Sequence, residues 1–233
     1  MKLNLLNVGQ NAKTKKSDNG GEYITGILYL APFTSGGHKN VCPAASKGCV
    51  ASCLNTAGRG AFSNVQSARV RKTKLLFEDF ATFKLQLLSD IKKLKTYADN
   101  KNLKVALRLN GTSDLLWPKL MPELFSDKEY EDIQHYNYTK VTKFMADFLN
   151  NKLPSNYYLL FSKSEDNTEQ CKKVLENGGN VAVVFKDTLP PYYLGYDVFD
   201  ADKTDLRFLD PKQSIAGLVA KGKAKKDKTG FVV

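Results

Sequence analysis

No stretch of this chain approaches the roughly 20 consecutive apolar residues that span a bilayer, so no membrane-spanning segment is expected. The opening Met1-Lys-Leu-Asn-Leu-Leu-Asn-Val-Gly9 is too short and too broken by asparagine for a secretory leader, and the expectation is a cytoplasmic protein. Cysteine is scarce, with four in 233 residues, which in a reducing compartment argues against a disulfide framework. The sequons Asn110-Gly-Thr and Asn137-Tyr-Thr then carry no meaning. Neither G-x-x-x-x-G-K-[ST] nor G-x-G-x-x-G nor H-E-x-x-H occurs, which disfavours P-loop hydrolases, dinucleotide binders and metalloproteases.

Positive charge is in excess instead. The formal charge of +11 concentrates at Arg69-Val-Arg-Lys-Thr-Lys74 and in a basic C-terminal segment at 221–228, where Lys221, Lys223, Lys225 and Lys226 fall. A nucleic-acid partner would explain it, and so would a solvated helix face and a basic tail. With 42% hydrophobic and 11% aromatic residues the chain can bury a core, and residues 1–233 read as one domain.

Apolar extended runs alternate with helical periodicity. Strands are expected at Tyr23–Leu30, Lys104–Leu109, around Tyr136, and at Tyr157–Phe161 and Asn180–Phe185, with shorter ones at Asp197–Phe199, Ser214–Val219 and Gly230–Val233. One long helix is expected from about Asn64 to Tyr97, buried along Phe77, Phe80, Phe83, Leu87, Ile91 and Leu94. Further helices carry Val141 to Leu149 and Asn167 to Asn177, the second stopped by Gly178-Gly179. The pattern implies an α/β fold: a partial or complete (β/α) barrel of about six to eight parallel strands, with a cysteine-rich loop at 34–60 after the first strand.

In that loop Cys42, Cys49 and Cys53 stand in the spacing C-x6-C-x3-C. Glycine, serine, lysine and proline surround them, so packing does not explain the crowding. Three thiolates suit a [4Fe-4S] cluster with one iron left without a protein ligand, and a helix starting near Ala51 would put Cys49 and Cys53 one turn apart. Zinc is the alternative, because His38 could complete a tetrahedral site with the three cysteines. Cys171 lies with Val174 and Leu175 on an apolar helix face and reads as core.

Chemistry in parallel α/β folds gathers at the carboxyl ends of the strands. Asn110-Gly-Thr-Ser-Asp114, Ser162-Lys-Ser-Glu165 and Asp200-Ala-Asp202 all follow strands, and with the cysteine loop they would share one rim. Arg108 would face the interior and bind a carboxylate. Asp200, Asp202 and Asp205 offer ligands for a hard cation or simply an acidic turn. Trp117-Pro118 reads as a loop anchor.

The run from Val41 to Gly60, with Arg108–Asp114, Tyr138-Thr-Lys140, Phe161–Glu165, Asn180–Phe185 and Arg207–Pro211, resembles the phage proteins called the gene product 88 family. The order of elements is also similar to radical S-adenosylmethionine enzymes, whose usual motif C-x3-C-x2-C is tighter at both gaps. That second resemblance implies a cluster on Cys42, Cys49 and Cys53, S-adenosylmethionine bound at its open iron and lined by Asn110, Thr112, Asp114, Ser162 and Glu165, and an external reductant. The competing expectation is a zinc-stabilised nucleic-acid-binding protein without catalytic activity.

Overall fold

The computed structural model describes residues 4–9, 21–37 and 39–233, so His38 lies outside the described residues. β1 (Leu6–Val8) and β2 (Tyr23–Leu28) come first, followed by α1 (Lys47–Ala51), α2 (Ser63–Glu78), α3 (Phe80–Asp99) and β3 (Lys104–Arg108). Two single-turn helices, α4 (Trp117–Leu120) and α5 (Glu123–Ser126), lead to β4 (Gln134–Thr139), α6 (Thr142–Leu149) and β5 (Tyr157–Ser162). Then come α7 (Thr168–Glu176), β6 (Val181–Phe185), β7 (Tyr192–Tyr193), β8 (Tyr196–Asp200) and β9 (Ile215–Val219).

The strands form one sheet in the order β1-β2-β3-β4-β5-β6-β9-β8-β7. β2, β3, β4, β5, β6, β9 and β8 are parallel to their neighbours, while β1 and β7 add antiparallel edges. The sheet is open, so a complete barrel does not form. Closure would need β2 to pair with the far edge, but its free backbone groups are already engaged by β1, and β7 covers β8 at the other side. The cysteine segment follows β2, the first strand of the parallel set but the second among the described residues. The expected strand at Gly230–Val233 reduces to a single bridge between Val184 and Val232.

Alternation along each strand divides the core. Tyr157, Leu159 and Phe161 of β5 and Val181, Val183 and Phe185 of β6 join the helices in the main core. Ala106, Ala182 and Ala216 point to the opposite face, where Tyr136, Leu206 and Phe208 pack over the sheet. Helices therefore cover one face, and the connection between β8 and β9 crosses the other.

The single long helix expected from the sequence is two. Asp79, at φ −143° and ψ 74°, ends α2, and its side chain accepts the Thr82 N–H at 3.0 Å as the N-cap of α3. The buried stripe accordingly starts at Phe83 and runs through Leu87, Ile91 and Leu94, while Phe80 is 36% exposed. Asp90, buried in the same helix, accepts the backbone N–H groups of Asn4, Leu5 and Leu6 at 2.6 to 3.0 Å and thereby fixes β1. Among the described residues no helix is long and apolar enough to cross a membrane.

Candidate functional site

The carboxyl ends of the parallel strands open on a cavity of about 1220 Å³. Tyr29 beyond β2, Asn110 to Asp114 beyond β3, Tyr138 to Lys140 at β4, Ser162 of β5 and Lys221 beyond β9 all line it. So do Cys42, Cys49 and Cys53. The rim anticipated from the sequence is thus occupied by residues from most of the parallel strands.

The cysteine segment is held by its own capping chemistry. Ser46 caps α1, its hydroxyl accepting the Cys49 N–H at 3.1 Å. The helix therefore begins at Lys47 and not near Ala51, which leaves Cys49 inside it and Cys53 just past its end. The Cys42 thiol accepts the Phe33 N–H at 3.4 Å and contacts the Thr112 carbonyl at 3.6 Å. Burial pushes the Cys42 thiol up to about 12, and the charges of Cys53, Asp114 and Cys49 add to the effect against a lowering by the Phe33 N–H. Burial also raises Cys53, opposed first by a hydrogen bond from the Asn55 backbone and then by the charges of Arg69 and Lys140. Among the described residues no three His, Cys, Asp or Glu side chains are gathered closely enough to hold a single metal ion. Cys171 is fully buried in α7, with its thiol 3.5 Å from Asn167 Oδ1, away from the cavity.

Asn110 and Glu165 do not present free side chains to a ligand. Asn110 Oδ1 accepts from Ser113 Oγ, the Leu115 N–H and Trp117 Nε1 at 2.8 to 3.1 Å, and its Nδ2 donates to the Leu115 carbonyl. It is the hub of the turn, with Trp117 as anchor. Glu165 is bound to Ser46 and Gly48, one step behind the cysteines. The Thr112 hydroxyl donates to the Leu30 carbonyl at 2.5 Å, and Ser162 Oγ accepts from Lys140 Nζ at 2.8 Å, so each keeps further hydrogen-bonding capacity. Asp114 is different. Its Oδ2 accepts the Lys140 N–H at 2.8 Å, while its buried Oδ1 has no hydrogen-bond partner, and burial raises its pKa.

The carboxylate that Arg108 binds is internal: Asp205 lies 3.1 Å away and also accepts from the Tyr136 hydroxyl at 2.9 Å. Asp202 accepts from Lys221 Nζ at 2.6 Å, and Asp200 from the Asp202 N–H at 2.9 Å. The three aspartates are thus divided among separate partners, since nearby cations and amides satisfy them better than one another.

The basic cluster of α2 is not a uniform solvent face. Arg69, Thr73 and Leu76 are buried at helical spacing, only Arg71 and Lys74 are exposed, and Arg69 and Lys72 line the cavity. In the second basic cluster Lys221, Lys223, Lys225 and Lys226 are exposed around an ordered turn of 3-10 helix. Sequence reasoning missed Lys140 as a cavity residue, although it follows β4 just as Asn110 follows β3.

Compared with known protein families, residues 4–233 match the family described as Gene product 88. No curated protein and no solved structure matches the chain.

Proposed function

The chain belongs to the gene product 88 family, and we propose that Cys42, Cys49 and Cys53 hold an open-iron [4Fe-4S] cluster in an enzyme of the radical S-adenosylmethionine type. The observation that carries this reading is the convergence of three thiols, set before, within and after α1, on one large cavity at the carboxyl ends of the parallel strands. A structural zinc site would need no such space beside it. Sulfurs around a zinc ion stand roughly 3.8 Å apart, given Zn–S distances of about 2.3 Å. A four-iron cubane is a larger body whose ligands stand wider. The three-cysteine donor set and the space beside it support the cluster reading.

When bound, the cluster would supply an open iron and an electron to a ligand in the cavity. The chain's own residues prepare that environment. Arg69 and Lys140 place positive charge near Cys53 and offset part of the burial that raises its thiol. Thr112 and Ser162 supply polar contacts to the ligand, while Asp114, whose Oδ1 is buried, holds the Lys140 backbone N–H. Glu165 is a positioning residue: it holds α1 and touches no ligand. An external reductant is the implied partner.

The test is to reconstitute the protein without oxygen, reduce it with dithionite beside S-adenosylmethionine, and assay 5'-deoxyadenosine. Formation that depends on Cys42, Cys49 and Cys53 supports the proposal. Its absence from a fully loaded, reduced sample would refute the radical chemistry.

A further inference from the structure

The cavity also has a basic wall. α2 starts there, with Phe62 at its N-cap and Asn64 and Val65 on the cavity wall. Phe62 has no side-chain acceptor, and no acidic residue occupies the first turn. The Asn64 side chain accepts the Val65 N–H at 2.8 Å, and the remaining first-turn amides of this 16-residue helix leave partial positive charge beside the space. About two turns further along, Arg69 faces the same space, only 8% exposed. Its Nη1 donates to Asn55 Oδ1, its guanidinium lies 4.9 Å over the Tyr29 ring, and its Nε has no hydrogen-bond partner. Among the described residues no carboxylate forms an ion pair with it. Lys72, whose Nζ donates to the Leu5 carbonyl at 2.5 Å, and the exposed Arg59 add positive charge to the same wall.

Arg69 has no carboxylate paired with it, only the Cys53 thiol and the Tyr29 ring system close by, so the arrival of an anion offsets part of its desolvation. We propose that this wall of the cavity binds the phosphate group of a small, nucleotide-sized ligand, which is the substrate class of the enzyme. A planar guanidinium fork, a helix N-terminus and an ammonium group together suit the several oxygens and double charge of a phosphate monoester better than one carboxylate. The depth of Arg69 favours a small molecule over a nucleic-acid backbone, which meets its cations at the surface. The cavity exceeds the usual ligand range of about 300 to 1,000 Å³ and so has room for it. Phosphate binding itself does not depend on the cysteines; only the designation of the ligand as substrate rests on the cluster reading.

The experiment is calorimetric titration of the full chain, metal-free and cluster-loaded, with adenosine 5'-monophosphate, adenosine and a short single-stranded DNA. Iron and sulfide are assayed on the same samples, so failure of the cluster leaves the metal-free titration readable. The expected result is that the monophosphate binds at least about tenfold tighter than adenosine, and that Arg69→Gln abolishes the difference while the exposed Arg71→Gln preserves it. If Arg69→Gln does not fold by thermal melting, Arg59→Gln gives the second reading, with selectivity reduced several-fold. Equal affinity for the two probes, no binding of the monophosphate by the folded wild type, unchanged selectivity in the folded variant, or binding of DNA alone would each overturn the proposal.

Discussion

The Glu165 carboxylate accepts the Gly48 N–H at 2.7 Å and the Ser46 hydroxyl at 2.6 Å, which ties the loop after β5 to the start of the cysteine helix. Burial pushes this carboxyl up, but the two hydrogen bonds outweigh it and hold it below the ordinary range. Its contribution is therefore present above the unfolded value of about 4.3 and lost as pH falls through the lower folded value. Replacing Glu165 by Ala is expected to cost about 1 to 3 kcal/mol and to lower the iron retained per chain. Denaturant unfolding and iron analysis check both effects, and Glu165→Gln should lie between.

Gly48 leaves no room for a methyl group. A Cβ there would sit 2.3 Å from Thr229 Oγ1, 2.6 Å from Phe231 Cβ and 2.7 Å from Glu165 Oε2. Gly48→Ala is expected to destabilise the protein by about 1 to 3 kcal/mol and to free the C-terminal residues. Hydrogen exchange at Val232 and Val233, whose neighbour is β6, would report the release.

Asp90→Ala would leave the amides of Asn4, Leu5 and Leu6 without their acceptor. A loss of about 3 kcal/mol or more is expected, with β1 exchanging before the rest of the sheet. Denaturant midpoints and amide exchange test it.

His135 is fully buried beside Phe125, at 4.4 Å between ring centres, and burial holds its pKa down to about 3. The unfolded chain takes up a proton below about 6.5 and the folded chain does not, so this residue removes stability as pH falls from about 6.5 toward 3. The slope is at most about 1.4 kcal/mol per pH unit. His135→Leu should flatten that part of the stability profile, measured as unfolding midpoints from about pH 4 to pH 7, and leave neutral stability little changed.

The strands and helices legible in the sequence were those with strong periodicity, such as Tyr157–Ser162 and Thr168–Glu176. β1 was not legible, because three residues of Leu-Asn-Val become a strand through pairing with β2 and through Asp90, 84 residues distant from Leu6. The break at Asp79 was written in a cap residue between two apolar stripes, and continuous periodicity hid it. Rim positions followed from strand ends, but roles did not: Asn110 and Glu165 look alike as polar loop residues until their partners are known. Arg69 shared a basic run with Arg71, and only the helix phase separates the buried cation from the exposed one.

The most direct measurement is the content of iron, acid-labile sulfide and zinc in protein purified without oxygen, for the wild type and for Cys42→Ala, Cys49→Ala, Cys53→Ala and Cys171→Ala. The expected result is about four irons and four sulfides per chain, lost in each of the first three variants and kept in Cys171→Ala. Stoichiometric zinc without sulfide, or a full cluster in Cys42→Ala, Cys49→Ala or Cys53→Ala, would contradict it.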